Sequence, residues 1–187
     1  MAGNIILMED MIIYARNVIV SSLATATGLP IALSDEQNPE AKSPYGYYSI
    51  ITPYVPTGEI GSHIQQTLTN PDTGEKRIKD IRYEHPEMLL SFNFCSNNHM
   101  LDNGTWVNGE TEAMHFAMKA VAWLKHTGAT ELSGKGLVVL RVSNCSSRSG
   151  LVADEYVRRW GFDVAIRYKA MTVRNDEIIE NVLTIRK

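Results

Sequence analysis

The chain reads as an α+β fold: a mixed, mainly antiparallel sheet of about seven strands, with two helices packed on it and a projecting β-hairpin. Three observations lead there. Residues 154–169 alternate, with Trp160, Phe162, Val164, Ile166 and Tyr168 apolar and Arg159, Asp163, Arg167 and Lys169 charged between them. That period places greasy side chains on one face of a strand and wet ones on the other. Met8–Thr27 and Glu110–Thr127 instead carry apolar residues at helical spacing. The remaining apolar runs are short, β-branched or aromatic, and separated by Pro, Gly and Asn turn signals.

The alternating stretch is too long for a simple globule. Continued through Val173, it amounts to about twenty residues at ~3.3 Å each, or roughly 65 Å. A compact chain of this size has a radius of gyration of only about 16 Å. The strand must therefore overhang or bend, and Gly161 is the expected place for a bulge.

In chain order, the first helix presents Met11, Ala15, Val18, Ser22 and Ala26, broadened by Tyr14, Ile19 and Leu23, with Gly28 as its stop. Ile31–Leu33 is a short strand, and a polar loop with two prolines follows to Pro44. Tyr45–Tyr54 is aromatic and β-branched; Pro53 and Pro56 should end it. His63–Leu68 and Arg77–Tyr83 flank the turn signal Asn70-Pro-Asp-Thr-Gly74, predicting a hairpin over 63–83. Its arms are polar on both faces, so it must lean on the body or be covered by a partner chain.

Glu87–Cys95 alternates, with Met88, Leu90, Phe92 and Phe94 facing one way. Pro86 marks a bend into it. Ser96–Asn108 is a polar loop with two Asn-Gly turns. The second helix is capped by Asn108 or Gly109, carries Glu110 and Glu112 at its positive end, and stops at Gly128. Its apolar surface is wide enough that the first helix should cover one flank. Leu137–Val142 is apolar on both faces and predicts an interior strand. After a turn at Arg174-Asn-Asp-Glu177, Ile178–Ile185 reads as a closing strand.

The 187 residues form a single domain, 1–187, with 44% apolar and 21% charged side chains. A net charge of −3 supplies no basic field for nucleic acid. No apolar run approaches the ~20 residues of a membrane span, and the first ten residues lack the basic start of a signal peptide. The Asn-x-Ser/Thr matches at Asn103 and Asn144 are therefore taken as chance. Cys95 and Cys145 are expected as buried reduced thiols, with a disulfide or metal pair as the alternative.

Candidate chemistry is thin. His115 and His126 sit about three turns (~16 Å) apart on one helix and cannot share a metal there. Gly134-Lys135-Gly136 lacks the remaining residues of a phosphate loop and is better read as a tight turn. Ser146-Ser-Arg-Ser149 offers hydroxyls without a nucleophile elbow. Asp154 and Glu155 are adjacent, so on a strand they face opposite sides. Arg158-Arg159 is too small a pair to hold nucleic acid. No cofactor or metal is expected. The tyrosines crowding one segment (Tyr45, Tyr47, Tyr48, Tyr54) suit sheet packing, with interface use as the alternative.

Four stretches taken together carry a resemblance: Pro44-Tyr-Gly-Tyr-Tyr-Ser-Ile-Ile-Thr-Pro-Tyr-Val-Pro56, Glu84-His-Pro-Glu-Met-Leu-Leu-Ser-Phe-Asn-Phe94, Val139-Leu-Arg-Val-Ser-Asn144, and Asp154 to Tyr168. In this order, with the Ala-rich helix ending Trp123-Leu-Lys125 between the second and third, the chain resembles the neck or tail terminator proteins of tailed bacteriophages. The resemblance covers roughly residues 12–185 and involves no catalytic signature. It implies a structural virion protein, assembled in the host cytoplasm, that forms a homo-hexameric ring capping the tail tube. Its partners would be copies of itself, the tail-tube protein and the head connector, with DNA passing through the ring without specific binding. Another phage ring component, or a small cytosolic enzyme, is the alternative.

A closed ring needs two different, complementary patches on each copy. The hairpin and the segment Tyr54–Ser62 are nominated, with Tyr54, Gln66, Asn70, Asp72, Lys76 and Arg77 as interface candidates. Their polarity and expected projection motivate the choice.

Overall fold

In the computed structural model, residues 8–34, 42–58, 61–71, 74, 76–152 and 155–177 are described. The elements run α1 (Met8–Thr27), β1 (Ile31–Leu33), β2 (Tyr45–Val55), β3 (Ser62–Thr69), β4 (Lys76–Glu84) and β5 (Glu87–Cys95). Next come β6 (His99–Met100), β7 (Trp106–Val107), α2 (Gly109–Lys125), α3 (Thr127–Gly134) and β8 (Leu137–Val142). The chain continues through β9 (Ser146–Ser147), β10 (Gly150–Val152), β11 (Glu155–Val157), β12 (Arg159–Tyr168) and β13 (Ala170–Glu177).

The main sheet has the order β1-β2-β5-β12-β8, with β9 also pairing with β12. All its pairings are antiparallel except β1 with β2, so the fold is α+β as expected. The alternation in β5 and β12 does what its period dictates. Met88, Leu90, Phe92, Phe94, Phe162, Val164 and Ile166 are fully buried on one face. The Phe92 and Phe94 rings stack on Phe162, with centroids 5.9 and 6.3 Å apart. Over that face lies α2, which brings the small residues Ala113, Ala117 and Ala120 inward and so sits close to the sheet. The expected cover is present: α1 packs on α2 through Ala15, Ile19 and Leu23, and Gly28 at φ +79° ends it with its N–H on the Ala24 carbonyl.

The long strand is real but breaks elsewhere than expected. It is divided at Arg158 and at Lys169, and Gly161 lies in regular register opposite Asn93. A Cβ at Gly161 would sit 2.5 Å from both the Asn93 side-chain oxygen and the Phe92 carbonyl, so glycine serves close approach here. Much of the strand finds its partners within the chain. Along β12 it pairs with β5 and β8, and along β13 with β4. The result is a two-stranded ribbon, β4–β5 against β12–β13, bent where His85-Pro86 faces Lys169 and held there by the Tyr168 N–H on the Pro86 carbonyl. Residues 76–95 of that ribbon span roughly 65 Å of strand.

Other expectations are corrected. Leu137–Val142 is an edge strand, not an interior one; Val138 and Leu140 are exposed because nothing among the described residues covers that side. The second helix ends at Lys125, and a third follows at once. Gly128 is no stop but a packing residue, where a Cβ would strike the Trp123 ring. Arg174–Glu177 is not a turn: it completes β13. The closing strand expected at Ile178–Ile185 lies outside the described residues. The strand from Tyr45 runs through Pro53 to Val55, but its register with β5 slips twice, at Ile51 and again between Thr52 and Val55, where Pro53 has no N–H for the ladder. The Ser96–Asn108 loop closes into the short β6–β7 pair around Gly104. Cys95 is buried and Cys145 only half-buried; both are free thiols, and burial pushes both up.

A candidate assembly surface on the hairpin

The predicted hairpin forms one residue longer than expected at each outer end and gains a third strand, giving the order β13-β4-β3. Its register is unbroken, from Ser62 opposite Tyr83 to Thr69 opposite Lys76. The inner part is anchored. Ile81 and Val173 are buried beside one another, and Lys169 lies 4.1 Å above the Tyr83 ring. On the other face the Asp80 carboxylate, itself buried, is paired with the His63 ring and lies 3.7 Å from the Arg174 guanidinium. Gly61, at φ +77°, lets the chain enter β3 directly against the Tyr83 carbonyl, where a side chain would collide. Beyond these anchors β3 is exposed along all eight residues, Ile64 and Leu68 included, while Ile78 and Lys79 on β4 are half-buried.

The nominated residues divide into two groups. Gln66 on β3 faces Lys79, while Arg77 pairs with Leu68 and Lys76 with Thr69 toward the tip; all three are exposed. Asn70 accepts the Gly74 N–H at 2.9 Å and so shapes the turn. Asp72 lies outside the described residues. Tyr54 sits apart, at the hairpin's base, where its hydroxyl donates to the Glu84 carboxylate at 2.9 Å. That hydrogen bond holds the Tyr54 hydroxyl above its usual pKa.

Several of the groups considered for chemistry are engaged in structure, and Asp154 lies outside the described residues. Arg148 donates to Ser91 at 2.7 Å, to Asn93 at 3.1 Å and to Asp163 at 2.9 Å, across the sheet face away from the helices. Burial opposes ionisation of Asp163, but hydrogen bonds from Arg148 and Ser91 outweigh it and hold the carboxyl below its usual range. Ser147 and Ser149 donate to Glu110 at 3.1 and 2.8 Å, and the Trp160 indole reaches the same carboxylate at 2.6 Å. Lys135 of the glycine-flanked turn donates to Glu131 and Ser22. Tyr168 is buried and pushed up to about 12, with its hydroxyl on the Pro53 carbonyl. Among the described residues, no three His, Cys, Asp or Glu side chains converge as a metal site. An open groove beside α2, lined by Trp106, Thr111, Glu112, His115 and Phe116, pairs no base with a nucleophile. The Arg148 network was missed at the level of sequence because its members are scattered over more than seventy positions. The bare length of β3 was legible in its polarity.

This is a fold whose polar side chains serve to hold strands in place and whose conspicuous exposed features are strand edges and apolar side chains. The phage neck terminator protein family matches residues 16–186, and the chain belongs to that family. No curated protein matches it. The chain is accordingly a structural protein of the phage neck and a component of the virion.

Proposed function

We propose that copies of this chain close into a homo-hexameric ring at the head-proximal end of the tail. The ring stops tail-tube polymerisation and presents a docking surface to the head connector. One observation supports this reading beyond family membership: β3 is an eight-residue edge strand exposed on every residue, and such an edge templates pairing with another chain. In this proposal the hairpin (Gln66, Asn70, Asp72, Lys76, Arg77) and Tyr54, nominated from sequence as two complementary patches, instead belong to one contact surface, since β2 and β3 both add to the β4–β5 side of the ribbon. The net charge of −3 suits a passage through which DNA slides, because such a pore should not grip phosphates.

Mass measurement of the purified protein, alone and with purified tail tubes, combined with negative-stain imaging, tests the proposal. Rings of about six copies, in solution or on tube ends, are expected. A strictly monomeric protein that ignores tube ends would overturn it.

A further inference from the structure

We propose that the ring closes strand to strand, the free edge of β3 in one copy pairing with the free edge of β8 in the next. The inference rests on the ring reading above and names the second of its two surfaces.

Proteins defend open sheet edges with charge, proline, bulges or brevity, because an undefended edge templates pairing with another chain. Among the described residues the two larger sheets present four such edges, besides the two-residue β9 and the length of β2 beyond β1, which carries Pro53 and two register slips. The strand β1 has only three residues. In β13 the sequence places Arg174, Asp176 and Glu177 along the edge. By contrast β3 has eight residues, no proline, no Lys, Arg, Asp or Glu, and no register slip against β4. Its one titratable side chain, His63, is turned to Asp80. It is undefended on every count. The fourth edge, β8, is apolar but for Arg141; its register slips at Leu140, which leaves Leu137–Val139 regular. Val138 and Leu140 are 48% and 39% exposed, much as Ile64 and Leu68 on β3 are 43% and 48% exposed.

Topology gives the pair its geometry. Because β4 continues β5 and β13 continues β12, the ribbon has two sides. On the β4–β5 side lies β3, and on the β12 side lies β8. Two unlike edges on opposite flanks are what head-to-tail closure needs, whereas a self-paired β3 would stop at a two-fold dimer. Main-chain hydrogen bonds would supply the affinity, and burial of Ile64, Leu68, Val138 and Leu140 the apolar contact.

Two exposed-edge variants test this. Gln65→Lys with Thr67→Lys charges β3, and Val138→Lys with Leu140→Lys charges β8. Circular dichroism melting first checks that each folds as the parent does; should the β8 variant not fold, Leu140→Lys alone replaces it. Mass is then measured for the parent, for each variant and for their equal mixture, alone and with tail tubes. The expected result is loss of rings in each variant alone and heterodimers in the mixture, because one intact boundary is restored there and no second one. Rings in either variant, or a mixture that stays monomeric, would overturn the pairing while the parent's rings leave the ring reading standing. A parent that forms no ring overturns both.

Discussion

Asp163 shows how a charged side chain is kept on a strand that is otherwise packed. It lies on the face of β12 away from the helices, with Arg148 and Ser91 both donating to it. Its depressed pKa has a defined consequence. The folded value lies below the unfolded one of about 3.9, so this contribution to stability is complete above about pH 4. It is lost as pH falls through the folded value. Replacing Asp163 with Asn should therefore flatten the acid limb of the stability profile, with a cost near neutral pH of about 1 kcal/mol because the pair is partly solvated. Urea unfolding at pH 7 and pH 3 measures both; an acid limb as steep as the parent's would show that Asp163 is not the group responsible. None of this was legible beforehand. In sequence Asp163 is merely the polar phase of an alternation, and Arg148 sits in a serine-rich linker. The same holds for Gly161, whose neighbour across the sheet, Asn93, decides its role.

At the scale of elements the sequence was most readable where one period was unbroken and both ends carried a stop. The bounds of α1 and β5 agree with expectation because Gly28 ends the one and the buried alternation from Met88 to Phe94 defines the other. Readability failed where packing overrode propensity. The segment Thr-Gly-Ala-Thr-Glu-Leu-Ser-Gly has little intrinsic tendency to form α3. It is held by Leu132 in the core and by Gly128 fitting under Trp123. Strand order failed too: an apolar run cannot say whether its second face is covered by its own chain or by another. For α2 the cap was legible and is testable. The Asn108 side chain accepts the N–H groups of Glu110 and Thr111 at 3.0 and 3.2 Å. Asn108→Ala should cost about 1 kcal/mol, seen as a melting point lower by about 2–4 °C. No change would mean that the Glu110 contacts to Ser149 and Trp160 hold the helix start without the cap.

At the scale of the whole molecule a closed core stands beside an exposed outer hairpin, and the two can be cut apart. The core is closed by residues of α1, α2, α3 and the main sheet, and no residue between 66 and 76 belongs to it. Every described residue in that span is exposed. Deleting Gln66–Lys76 would leave His63, Ile64 and Gln65 opposite Arg82, Ile81 and Asp80 in their present register, with Arg77–Lys79 as a three-residue loop of the kind short hairpins accept. The His63–Asp80 pair and the buried Ile81 would stay in place. The shortened chain should thus melt cooperatively within a few degrees of the parent, yet fail to form rings alone or on tail tubes. A deletion variant without a cooperative melt would mean that the outer hairpin is needed for folding. One that still assembles would mean that the boundary between copies lies elsewhere, because the charge-free outer half of β3 is what the deletion removes.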